Sequence, residues 1–108
     1  MPTAALNISP ALIPAVETDL FTVPALTEYD LPVIRFVNND SNPHQLTIWN
    51  KPAAGAGAAA DVEAKTLTIQ AQSTYEHGPM VLAAGRVVSA MADQAGFISA
   101  RIHGWAIT

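Results

Sequence analysis

Apolar and polar residues alternate with a period of two along the end of this chain. From Phe97 to Ile107, Ile98, Ala100, Ile102, Gly104 and Ala106 share one side, and Phe97, Ser99, Arg101, His103 and Trp105 share the other. That is the strand period, because successive side chains on a strand point to opposite faces. The first set is expected to face a core. From Gln45 to Asn50, Leu46 and Ile48 read inward and Gln45, Thr47 and Trp49 outward. From Lys65 to Ala71, Leu67 and Ile69 read inward against Thr66 and Thr68. Further runs rich in Val, Ile, Thr and aromatics lie at Ala4 to Ser9, Asp19 to Val23, Leu31 to Asn38 and Arg86 to Ala92. Another, Ser73 to His77 with Met80 to Leu82, is broken by Gly78-Pro79. These runs make about eight strands.

Helices are disfavoured by prolines at 2, 10, 14, 24, 32, 43, 52 and 79, which cut the chain into short pieces. Pro32 is tolerable near the start of its strand. The cluster Asn39-Asp40-Ser41-Asn42-Pro43 predicts a turn, with Gln45 to Asn50 pairing back on Leu31 to Asn38 as a hairpin. The expected fold is all-β: one antiparallel β-sandwich, jelly-roll-like, over residues 1–108. Residues 1–17 read as an extended N-terminal arm, and residues 52–64 as a flexible Ala/Gly-rich connection. For the stretch Pro52 to Ala60, two readings stand: a slack crossover between sheets, or an arm that orders against a neighbour. A short helix near Ala58 to Ala64 is the minority reading.

Composition sharpens this picture. Only 13% of the residues are charged, against about 25% in ordinary domains, while 50% are apolar. Part of the surface is therefore expected to be covered by a partner; the plain alternative is that many alanines inflate the apolar count. The net charge of −4 supplies no basic stripe for nucleic acid and nothing for an anionic membrane surface. There is no Cys, so disulfides and thiolate metal sites are excluded. Met1-Pro2-Thr3 carries no positive charge, and prolines interrupt the apolar stretch after it, so no signal peptide is read. The chain is expected to be made in a cytoplasm.

Candidate chemistry is sparse. His44, His77 and His103 are isolated in sequence, which reads as three separate histidines rather than a metal site. Ser73, Ser89 and Ser99 lack a nucleophile elbow. The pairs Glu17/Asp19, Glu28/Asp30 and Asp61/Glu63 read as solvated charges, because no cleft is implied around them. The oxygen-rich run Asn38 to Asn42 lacks EF-hand spacing and reads as a plain turn ahead of calcium. No phosphate loop is present. A non-enzymatic protein with no cofactor and no metal is expected.

The order of segments resembles small tailed-bacteriophage virion structural proteins of β-sandwich type. The resemblance rests on Thr18-Asp19-Leu20-Phe21-Thr22-Val23-Pro24-Ala25, Val33 to Asn38, Leu46 to Trp49, Leu82 to Val88, and the closing Ile98 to Ile107. It runs from about Thr18 to Ile107. Arg86, where that group usually has an acidic residue, and the Ala-rich stretch 53–60 depart from the pattern. The resemblance implies a capsid decoration (cement) protein binding the outer face of the major capsid protein. It equally admits a tail, neck or fibre component of the virion. A carbohydrate-binding module that stacks sugars on Trp49 and Trp105 is the rival from another class. The residues expected at contacts are Trp49, Phe97, Trp105, Leu12 and Ile13, the last two within the segment Pro2 to Pro14. A small homo-oligomer is expected as well.

Overall fold

A computed structural model of the chain describes residues 2–108. The arm expected over residues 1–17 includes Met1, which lies outside the described residues. In chain order the strands are β1 (Thr3–Ala5), β2 (Ala11–Leu12), β3 (Thr18–Thr22), β4 (Glu28–Asn38), β5 (His44–Lys51), β6 (Val62–Ile69), β7 (Thr74–His77), β8 (Met80–Leu82), β9 (Val87–Ala92) and β10 (Ile98–Ile107). A single 3₁₀ turn, Ala59–Asp61, precedes β6.

The strands form two antiparallel sheets. Sheet A runs β1-β10-β4-β7, with β2 also on β10 and β8 also on β4; sheet B runs β3-β9-β5-β6. β1 with β2, and β7 with β8, each act as one broken edge strand. The result is a jelly roll of two four-position sheets. Between them lies one apolar layer that includes Ile34, Phe36, Leu46, Ile48, Val88, Ala90, Ile98, Ala100 and Ile102, all buried. The inward assignments of Leu46, Ile48, Ile98, Ala100 and Ile102 therefore hold.

Two expectations are corrected. Residues 3–12 do not leave the domain as an arm, because β1 and β2 pair with β10 along its free edge. The β4–β5 turn is not a hairpin. β4 belongs to sheet A and β5 to sheet B, so residues 39–43 arch from one sheet to the other. A hairpin and an arch put the same alternate residues inward, so the local pattern cannot separate them. In the fold β4 already has β10 on one side and β7 with β8 on the other.

Asn38 closes the arch. Its side chain is fully buried, and its Nδ2 donates to the carbonyls of Asn42 (2.9 Å), Ile69 (3.0 Å) and Gln70 (3.3 Å). Its Oδ1 accepts the N–H of Asp40 at 3.0 Å. One amide thus ties the end of a sheet A strand to the end of a sheet B strand.

Pro32 sits well inside a central strand rather than near its start. It has no N–H to give a ladder. Both neighbours break at this level. The β10 register shifts between His103 and Trp105, and β7 gives way to β8 at Gly78-Pro79. Gly104 lies at the shift, where a Cβ would collide with the Asp30 carbonyl and the Leu31 side chain.

Replacing Asn38 with Ala leaves buried carbonyls without a donor. The expected loss is about 3 kcal/mol of unfolding free energy. Urea denaturation measures it; a loss under about 1 kcal/mol would show that the arch closes without the amide.

Candidate functional site

Buried polar clusters pin the loops. Lys51, at the end of β5, is only 2% exposed. Its Nζ donates to Glu17 Oε2 (2.7 Å), to Asp19 Oδ1 (2.8 Å) and to the Gly55 carbonyl. Glu17 also accepts from Ser89 Oγ at 2.8 Å and from the Gly57 N–H at 2.9 Å. Burial works against the charge on Glu17, but the bonds from Lys51, Gly57 and Ser89 outweigh it and hold the carboxyl below its ordinary range. Burial likewise opposes the Lys51 charge, and Asp19 and Glu17 overcome it and raise the ammonium above its usual value.

Residues 52–64, expected as a flexible connection, are tied down by these contacts. Gly55 and Gly57 fold back over sheet B, and Gly57 lies so close to the Trp49 ring that a Cβ would collide with it. An open depression of about 660 Å³ remains, lined by Glu17, Thr18, Asp19, Lys51, Gly55 and Ala56. Its charges are already paired with one another, so it offers a ligand little unpaired charge.

The three histidines occupy three separate places. His44 lies in the core side of the arch, 4% exposed, with Nε2 at 2.7 Å from Asp40 and Nδ1 at 2.9 Å from Asp93. Phe97 stacks on it at 4.8 Å. Both ring nitrogens face carboxylates, so both bonds form only when the ring carries two protons. The Asp40 bond, then Asp93, against an opposing effect of burial, raises the His44 pKa above 6.5. His44 in turn lowers Asp40. His77 bridges the open edge between the sheets, with Nε2 donating to Glu63 at 2.7 Å and Nδ1 accepting from Tyr75 at 2.9 Å. His103 is exposed on the outer face of sheet A. Among the described residues no group of three or more His, Cys, Asp or Glu could hold a metal ion.

The expected contact residues divide. Trp105 is 48% exposed and Leu12 60%, both on the outer face of sheet A. Trp49 points outward as read, but the folded-back loop half covers it. Phe97 is half-buried on His44. Ile13 is a correction: it is fully buried and belongs to the core, because it follows β2 into the crossing toward sheet B.

The sequence reading missed Leu26 and Val81. Leu26 is 92% exposed and has φ 59°, a left-handed conformation that a branched side chain adopts only at a cost. Val81 is 65% exposed at the outer face of sheet A. The signal for Leu26 was an isolated Leu in a turn, Pro24-Ala25-Leu26-Thr27, where Gly or Asn is the usual choice.

The two ends of the sandwich expose different loop residues, with Glu28 exposed beside the first of them at the start of β4. β4 and β9 run lengthwise, so loops 23–27 and 83–86 share one end and loops 39–43 and 93–97 the other. At the first end Pro24, Ala25, Leu26, Ala83 and Ala84 are exposed. The two loops are locked together by Val23 N–H to Arg86 O and Gly85 N–H to Val23 O, both 2.9 Å. At the other end Asn39, Ser41, Asn42, Asp93 and Gln94 are exposed. No protein-family model, curated protein or solved structure matches the chain.

Lys51→Met strands two carboxylates and should cost about 3 kcal/mol at neutral pH. In urea titrations the gap from the parent should narrow as pH falls from the ordinary carboxylate value of 4.5 through the lowered folded value of Glu17. For His44 the sign is opposite. Its contribution is full below pH 6.5 and is lost as pH rises through the raised folded value. Thermal unfolding should therefore weaken from pH 6 to pH 9 more in the parent than in His44→Gln; equal slopes would show that the ring is not charged in the fold.

Proposed function

We propose that this chain is a non-enzymatic structural protein of a phage virion, a capsid decoration protein that sits on the outer face of the major capsid protein. The observation that carries the reading is Leu26. An apolar side chain almost fully in water, on a backbone that disfavours it, gives the isolated domain nothing. It makes sense as an anchor that enters a partner's pocket. Around it Pro24, Ala25, Ala83 and Ala84 form an uncharged platform that can lie flat on a lattice. The polar end then faces away from the shell. Repetition over a lattice turns a weak single contact into firm attachment. The segment order that resembles tailed-phage proteins supports the same role, and a tail, neck or fibre position would use the same platform.

Trp105 favours a second reading. An exposed indole on a sheet face is suited to stack on a sugar ring. Glycan-array binding that disappears with Trp105→Ala would select it.

The test of the first reading is cosedimentation with capsids that lack the chain. The parent should bind saturably, and Leu26→Gly should bind at least about tenfold more weakly. The same substitution relieves the backbone, so its unfolding free energy should stay level or rise by up to about 1 kcal/mol. Equal binding by Leu26→Gly, or no binding by the parent, would overturn the proposal.

A further inference from the structure

Residues directly opposed across antiparallel strands share a face, which divides the outer face of sheet A into rows. Arg101 lies opposite Arg35, and Arg35 opposite Glu76. The next row is His103 with Val33. Beyond it Trp105 lies opposite both Ala5 and Asp30, and Asp30 opposite Val81. The intervening residues Leu31, Ile34 and Ile102 are buried, so these rows face outward.

Two features of this face do not serve the single domain. Arg35 and Arg101 are directly opposed in a chain that has only five Lys and Arg, and opposed like charges destabilise a sheet. Arg35 reaches Glu76 at 3.1 Å, but among the described residues Arg101 and Asp30 have no ion-pair partner. Trp105, on the same face, is 48% exposed.

The rows are symmetric about His103–Val33. Arg101 and Trp105 are each one outward step from His103 along β10. On β4 Arg35 is one outward step from Val33, and the extra residue at the Pro32 bulge brings Asp30 into the matching row on the other side.

We propose that two copies of this chain pair through the outer faces of sheet A, about a two-fold axis along the His103–Val33 row. That rotation keeps each strand over its own counterpart and exchanges the rows on either side. Arg101 then lies over Trp105 of the second copy, where a guanidinium is attracted to the indole face. Arg35 lies over Asp30 of the second copy. Each contact occurs twice, as an isologous interface requires. Glu28 falls in the outermost row, where rim water keeps it hydrated. From strand spacing, the face covers on the order of 500 Å² per copy. That is under the roughly 800 Å² per partner of a standard stable complex, so the pair dissociates readily. The pairing is independent of the capsid reading and goes beyond it, since it needs no other protein.

Sedimentation equilibrium of the full chain at low salt, from about 10 µM to 1 mM, tests it. The parent mass should rise toward that of a dimer. Asp30→Arg and Arg35→Asp should each weaken association at least about tenfold. The double variant Asp30→Arg/Arg35→Asp re-forms the pair in the opposite sense and should recover to within about threefold of the parent. Asp30 and Arg35 are both exposed, so the variants should keep the parent's circular dichroism, and because Arg35→Asp exchanges its Glu76 pair for one with Arg101, the thermal midpoint should move little. A parent that stays monomeric at 1 mM overturns the proposal. So does a dimer indifferent to the single reversals, or one that the double variant fails to restore.

Discussion

The fold depends on the chain's repeated crossing from one sheet to the other. From β2 to β10 every connection changes sheet except β5–β6, a neighbour pair, and β7–β8, a broken strand. Each crossing buries backbone groups at the rim of an apolar layer, and each such group must find a partner. Asn38 answers this at the β4–β5 arch by serving carbonyls from both sheets. His44 with Asp40 and Asp93 joins the same end to the β9–β10 crossing. Among the described residues no buried side-chain nitrogen or oxygen is left without a partner.

Scarce charge is placed with purpose. Lys51 is spent inside, holding the loop after β5 against β3 and β9 through Glu17, Asp19 and Ser89. Arg86 is turned toward Asn50, to which its Nε and Nη2 donate at 3.1 and 2.9 Å. Arg35 and Arg101 are set against each other on an outer face. A low charged fraction therefore does not mean a featureless surface. It means that one end can be apolar, one end polar, and one face both cationic and aromatic.

Much of the sandwich was legible in the residues. The alternation in β10 identified Ile98, Ala100 and Ile102 as core, and Leu46 and Ile48 in β5 likewise, because the pleat imposes a period of two whatever the neighbours are. Strand ends were less legible. β6 begins at Val62, ahead of the expected Lys65, since pairing with Trp49 rather than local composition sets its start. The exposure of the expected contact residues was half legible: Leu12 and Trp105 are exposed, but Ile13 is core and the loop reaches Trp49. Composition marks an apolar residue without saying which surface will cover it.

What the sequence by itself determined is the strand class, the inward residues of β5 and β10 and the lack of a linear catalytic motif. These follow from side-chain period, proline placement and spacing, all of which act within a few residues. Tertiary structure alone decided that Asn38 ends an arch and not a hairpin. It also decided that Lys51 is buried, and that Arg35 and Arg101 meet on one row while Leu26 stands in water. Those outcomes depend on pairings between residues far apart in the chain, and a local pattern is compatible with more than one such pairing.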